Sequence, residues 1–533
     1  MSPSRLGHSS RLLFTLAALA VAGAAHADIP TLASRPALSL NGEWRTIVDP
    51  YEAGYYDYRW QPRDAAANPS RDAFFMDAKP RNPSDLLEYD FDKSPMLRVP
   101  GDWNTQRREL YYYEGTVWYR RKFLPAALRP GERAFLHFEA VNYRADVYLN
   151  GRKLGTHVGG FTPFSFEVTN ALRPGENSLV LRVNNQRSRE AVPTLNTDWW
   201  NYGGITRDVS LVTVPAVFIT AHHIHLESVL TRAISGSVQL SAAEAGVAVT
   251  VNVPELGQKL TTRTDASGAA SFHFVAPRRL ELWTPEHPKL YHVEFRTGQD
   301  AIADEIGFRT IATRGRQILL NDRPIFLRGV ALHDEFAVNG GGRVTTPAES
   351  AQLLRWAKEL GCNYVRLAHY PHNESTLRAA DRMGLLVWSE IPVYWTIDWD
   401  NEATYENAAA QLTDEIQRDD EHAAVIIWSV ANETPVTAAR TKFLSRLIAR
   451  ARALDPTRLI SAALERHSDP HDPDVQIVED PLANLVDFRS PRRVLPGIQD
   501  GFNRKGLISD QGIKKEAFSV LQKYYAKKAA GGQ

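Results

Sequence analysis

The chain has 533 residues, with 62 lysines and arginines set against 62 aspartates and glutamates, and a single cysteine. Balanced charge removes the electrostatic case for nucleic acid or an anionic membrane as a partner. One cysteine excludes an intramolecular disulfide, so packing has to hold the fold together.

The N-terminus carries Arg5 and Arg11, then an apolar run from Leu12 to Ala24, then Ala25-His26-Ala27, which fits the small-x-small rule for signal cleavage. Residues 1–27 are predicted to be a secretory signal peptide, which places the mature protein in the periplasm or outside the cell. The apolar run is short for a membrane span, an N-terminal anchor is the alternative, and no later stretch qualifies as a span. About 505 residues then remain, enough for three or four domains with cores of their own.

Residues 28–215 read as short β-runs punctuated by Gly, Pro and Asn turns: Phe135–Phe138, Ala145–Leu149 and Ser178–Val183 are examples. Asn150-Gly151 is a hairpin-turn signal, because both residues tolerate positive φ. The expectation is an all-β sandwich. Residues 216–312 form a second β-rich block, with Ser235–Leu240, Val247–Val253 and Tyr291–Phe295, of a length that suits an immunoglobulin-like sandwich. From about 318 to the C-terminus strands are expected to alternate with helices, as in a parallel α/β layout. Cys362, between a helix-like segment and a strand, reads as a small buried hydrophobe.

Three strand-like segments of this last part carry chemistry. Val425-Ile426-Ile427-Trp428-Ser429-Val430-Ala431-Asn432-Glu433 is an apolar run ending in an amide and an acid, and parallel strands buried on both faces put polar residues at their exits. Before it come Asn363-Tyr364-Val365-Arg366-Leu367-Ala368-His369-Tyr370-Pro371 and Gly384-Leu385-Leu386-Val387-Trp388-Ser389-Glu390-Ile391-Pro392. Together these segments resemble glycoside hydrolase family 2, the family of β-galactosidases, β-mannosidases and β-glucuronidases. Asn41-Gly42-Glu43-Trp44, Val99–Asn104 and Gly115–Arg121 resemble the family's jelly-roll sugar-binding domain.

The resemblance implies a jelly-roll β-sandwich, an immunoglobulin-like sandwich and a (β/α)8 barrel over 313–533. It also implies exo-acting, retaining hydrolysis of terminal β-glycosides, for which two carboxyls must face each other across the anomeric carbon. The sequence shows no metal-ligand spacing, nucleotide loop or flavin motif, so no cofactor or metal is expected. Glu433 takes the acid/base role, and Asn432 bonds the hydroxyl next to the reacting carbon. His333 matches a histidine segment after the first barrel strand, although Asp334 separates it from Glu335 where the family usually has His-Glu. Arg366 and His369 match the strand ending in His-Tyr-Pro, and Glu390 is expected to be a buried hydrogen-bonding carboxylate. Asp198, in Asp198-Trp199-Trp200-Asn201, resembles a loop that reaches the sugar from the jelly roll. Asn503-Arg504-Lys505-Gly506 resembles the Asn-x-Lys motif of β-glucuronidases, in which Asn503 and Lys505 would hold the uronic carboxylate through charge-assisted bonds.

The family's nucleophile motif is absent. Strand five is expected at Leu459–Ala462 and strand eight at Leu485–Phe488, with about 22 residues between them, whereas each β/α unit of a ~250-residue barrel takes ~30. Strands six and seven therefore have no room, and Ala483-Asn484 reads as a junction across a missing block. Glu479 and Asp480 precede a proline and are expected in a loop. Strands five and eight are expected to pair directly in a smaller, distorted barrel. Three readings of function follow: a β-glucuronidase-type enzyme, with β-galactosidase or β-galacturonidase as alternatives; an inactive carbohydrate-binding remnant; or an error in the encoding sequence at the junction. Carbohydrate is the expected partner, and oligomerisation is left open.

Overall fold

The structure, a computed structural model, describes residues 35–530 except 66–68, 81, 83, 85–88, 299, 337, 339–340, 465–466, 469–475, 478–479, 489, 492–506 and 509–512. The expected signal peptide and Asn503 and Lys505 lie outside the described residues.

The N-terminal part is a sandwich of two antiparallel sheets. One holds Ala37–Ser39, Val209–Val214, Arg133–Phe138 and Phe164–Glu167; the other holds six strands running from Met96–Val99 to Arg152–Val158. Inward-facing Trp44, Leu136, Val147 and Leu181 fill the space between them. Asn150 and Gly151 sit at φ 54° and 81°, the left-handed pair that a tight hairpin between Arg144–Leu149 and Arg152–Val158 requires. The second sandwich packs a three-stranded sheet, beginning with Ile219–Leu226, on a four-stranded one ending in Asp300–Ile306.

The chain does not pass straight into parallel α/β structure as the sequence suggests. Ile311–Arg314, Gln317–Leu320 and Arg323–Ile325 first make a small antiparallel sheet. Parallel pairing starts at Gly329–Leu332 and continues through Tyr364–Leu367, Leu386–Glu390, Val425–Asn432 and Leu459–Leu464. Helices Pro347–Glu359, Glu374–Met383, Glu402–Asp419 and Ala438–Leu454 connect the strands. Thr346 and Glu349 cap the first of these helices with a reciprocal capping box. All eight residues of the fourth strand are buried, which explains its uninterrupted apolar character.

The segment after strand five departs from expectation in two ways. Leu485–Phe488 is not a strand: Pro481–Asn484 forms a 3-10 turn, and the next pairing is Ser490 and Pro491 against Ala463 and Leu464. Direct pairing of this segment with strand five is thus present, a few residues later than expected, and the Asp487 amide also donates to the Ile460 carbonyl at 2.9 Å. The barrel, however, is not closed. Among the described residues the sheet runs from Gly329–Leu332 to Ser490–Pro491 without joining its two edges.

Helix Glu516–Ala530 packs beside the start of the first strand and the end of helix Pro347–Glu359. Its Tyr525 hydroxyl donates to the Gly329 carbonyl at 2.7 Å, and Phe518 is buried in the α/β core. Asp480 is a loop residue as expected, but a buried one: it caps the 3-10 turn and makes a bidentate pair with Arg440 at 2.7 and 2.8 Å. Cys362 is buried in the same core.

Candidate active site

The fourth strand delivers its exit residues through an irregularity. Ser429 pairs with Ser461 but Asn432 pairs with Ala463, so three residues advance against two on the neighbouring strand. Such a bulge re-aims the side chains beyond it. Glu433 follows at φ 49°, a left-handed conformation that costs a non-glycine residue ~1–2 kcal/mol and is characteristic of functional positions. The Glu433 amide donates to the Ala463 carbonyl at 2.8 Å, fixing the turn.

Asn432 is 1% exposed. Its Oδ1 accepts from Arg366 Nη2 at 2.6 Å, which sets the orientation of the amide, and its Nδ2 has no partner among the described residues. A buried amide donor left unmade is costly, so this one is suited to a substrate oxygen. Arg366 also donates to both oxygens of Glu390 at 2.8 Å. The Glu390 carboxylate further accepts from His369 Nδ1 at 2.6 Å and from the Trp388 indole at 2.9 Å. Burial by itself would raise the Glu390 pKa, but Arg366 and His369 reverse this and hold it at about 2. Glu390 is therefore a permanently ionised anchor, and His369 is locked with its Nδ1 proton on that anchor.

The residues singled out on different domains converge. A carboxylate oxygen of Asp198 and a ring nitrogen of each of His333 and His369 lie within 4.8 Å of one another. Burial pushes His333 down to about 3, with neighbouring His369 adding to the effect, so it is neutral near pH 7 and able to accept a hydrogen bond. The same three donor atoms would also suit a divalent ion. The jelly-roll loop is held there by Arg207, which donates to Asp334 at 3.0 Å and to the Pro371 carbonyl at 2.7 Å. The Asp interposed before Glu335 thus serves as an interdomain clamp.

Trp199, Tyr370 and Glu335 lie within the quoted segments without an assigned role, whereas Phe161, Tyr394 and Trp395 fall outside them. Trp199 packs with tilted or edge-on rings against His369, Tyr370 and Tyr394 at centroid distances of 5.9, 5.3 and 5.0 Å, and with Phe161 they make an aromatic wall. The Trp395 indole, on the loop after strand three, donates to Glu433 Oε2 at 3.3 Å. Glu335 is pushed up to about 7 by burial, only partly offset by Arg343. The adjacency of Trp199 to Asp198 was a usable signal; Trp395 reaches Glu433 only because its backbone runs beside Asn432, accepting no motif.

Three domain descriptions match in chain order. They are glycosyl hydrolases family 2, sugar binding domain (38–215), glycosyl hydrolases family 2 (217–309) and glycosyl hydrolases family 2, TIM barrel domain (311–480). The chain belongs to glycoside hydrolase family 2.

Relatives of this family 2 chain include a putative beta-glucuronidase of Formosa agariphila, 30% identical over 68% of the chain and 46% of the relative. A beta-glucuronidase of Paenibacillus borealis is 29% identical over 68% and 67%, and a beta-galactosidase of Thermoanaerobacter pseudethanolicus is 29% identical over 66% and 50%. The chain thus matches about half the length of the first and third relatives. The fold is similar to that of a solved Bifidobacterium dentium beta-glucuronidase, with TM-score 0.76, 22% identity and coverage of 93% of this chain and 98% of that one. A Ruminococcus gnavus b-glucuronidase gives TM-score 0.72 at 24% identity, covering 88% and 78%. No helix among the described residues is long and apolar enough to cross a membrane.

Proposed function

We propose that the chain carries a β-glucuronidase-type sugar site with Glu433 as acid/base, in which the catalytic pair is incomplete. The observation that carries this reading is the fixed sequence of contacts Glu390–Arg366–Asn432, which ends in an unpartnered amide donor immediately before Glu433. In a retaining mechanism Glu433 would protonate the departing oxygen while Asn432 bonds the adjacent hydroxyl, and Asp198, His333 and His369 would bind hydroxyls. The facing nucleophile has to be an ionised carboxylate free to attack the anomeric carbon. Among the described residues the parallel strands end in two glutamates, and Glu390 is fully engaged by Arg366, His369 and Trp388. The open sheet and the short interval after strand five support the reading that two β/α units, with the nucleophile, are missing.

Names of curated relatives favour a glucuronide over a galactoside, as does the Asn503-Arg504-Lys505 motif. Residues 1–27 support export to the periplasm or beyond. The test is hydrolysis of an aryl β-glucuronide and an aryl β-galactoside by the purified chain beside E433Q, with tryptophan fluorescence titrated with glucuronic acid and galactose. The expected result is no release above the E433Q background, with glucuronic acid perturbing the emission at lower concentration than galactose. Glu433-dependent release would overturn the incomplete pair, and equal or stronger binding of galactose would overturn the uronate preference.

A further inference from the structure

At the far end of the fourth strand from Glu433, separated by eight residues or ~26 Å of extended chain, the second sandwich meets the α/β domain. His223, on strand Ile219–Leu226, lies there against Asp420 and Glu421, which follow helix Glu402–Asp419. Donor atoms of these three residues all lie within 4.8 Å of one another. His223 Nδ1 is 3.2 Å from Asp420 Oδ2 and 3.2 Å from Glu421 Oε1, both of ion-pair length.

We propose that His223, Asp420 and Glu421 form a binding site for a divalent transition-metal ion of the Zn2+ class, which ties the second sandwich to the α/β domain. Four arguments support it. A tetrahedral ion with bonds of ~2.0–2.1 Å places its ligands ~3.3 Å apart, close to both observed separations. The Glu421 side chain is 8% exposed, and while its Oε1 accepts from the Ile224 amide at 2.8 Å, its Oε2 has no partner among the described residues. The His225 ring lies tilted beside His223 with centroids 5.0 Å apart, and its Nδ1 is buried with no partner among the described residues, so a second imidazole borders the cluster without belonging to its three converging donors. Finally, an imidazole with two carboxylates suits zinc and its neighbours, whereas calcium and magnesium favour all-oxygen sets. The ion would be structural: its ligands sit at the entry of strand four, and the proposed sugar site at the exit.

The experiment uses the full chain, stripped with a chelator and titrated with Zn2+ by calorimetry and with Co2+ by visible absorption, alongside thermal unfolding. One tight equivalent is expected, with Co2+ bands of a low-coordinate N/O site and a higher unfolding temperature on loading. E421Q, which retains an oxygen for the Ile224 amide, and H223Q should each weaken binding about tenfold or more. H333Q should leave this equivalent intact, which separates it from the Asp198, His333 and His369 cluster. Absence of a stoichiometric Zn2+ or Co2+ equivalent would overturn the proposal. So would unchanged affinity in E421Q with a native unfolding profile, because the cluster would then be an ion pair that holds no metal.

Discussion

Replacing Glu390 by Gln removes the charge at the centre of the site while keeping its shape. The carboxylate is 1% exposed and sits at about 2 against an ordinary 4.5, and that fall corresponds to about 3 kcal/mol of folding stability. Removing one partner of a buried ion pair leads to the same magnitude, roughly 3–5 kcal/mol, since Arg366 loses its counter-charge. Because the folded pKa lies below the unfolded one, this stability is fully present above about pH 4.5 and is lost as pH falls toward about 2. The assay is urea unfolding of parent and E390Q from pH 7 downward, following the transition of the α/β domain. The variant should be about 3 kcal/mol less stable at pH 7, and the gap should narrow by about 1 kcal/mol by pH 3.5. A difference below 1 kcal/mol at pH 7, or one that stays constant as the carboxylates protonate, would refute the role of Glu390 as an ionised anchor.

Asn432→Ala removes both the acceptor for Arg366 and the unpartnered donor, and should weaken glucuronic acid binding by about tenfold with little change in unfolding midpoint, read by fluorescence titration and urea melts. Asp480→Asn leaves Arg440, whose side chain is 0% exposed, without its counter-charge and should cost roughly 3–5 kcal/mol in urea unfolding. R440M in the D480N background should recover part of that loss, because a paired charge exchanged for apolar volume is far less costly than a broken pair.

The sandwiches and the parallel strands were legible because their signals are local. Asn150-Gly151 dictates a hairpin from φ alone, and Val425–Ala431 is apolar because the strand is covered on both faces. Helix Ala438–Leu454 likewise follows its run of helix formers. The misplaced strand shows the limit of that reasoning. Leu485-Val486-Asp487-Phe488 has strand composition, but Asp480-Pro481 starts a 3-10 turn, and the Asp487 carboxylate captures the Ile460 amide at 2.6 Å. A side-chain acceptor thus occupies a backbone donor that strand pairing would have used. The small antiparallel sheet at 311–325 was hidden for another reason. Its Asn321-Asp322 turn, with both residues at positive φ, lies in a stretch otherwise read as the start of α/β alternation.

The site divides along the same line. Asn432 and Glu433 stand out because the exit of a parallel strand sets polar residues against apolar sequence, whereas Arg366 and His369 were carried only by resemblance to the family's strand ending in His-Tyr-Pro. Trp395 and Arg207 were invisible, since each acts across a distance in sequence that no motif spans. Arg207 joins Asp334 and Pro371, more than a hundred residues away, and so places the Asp198 loop over the strand exits. The consequence bears on activity. On the proposed reading, the wall that would face the sugar is assembled from the jelly roll and strands one to four, which Arg207 clamps together, whereas retention of configuration also needs a second carboxylate. Loss of units beyond strand five would remove that carboxylate while leaving the wall in place. A chain of this kind is therefore expected to lose turnover before it loses recognition.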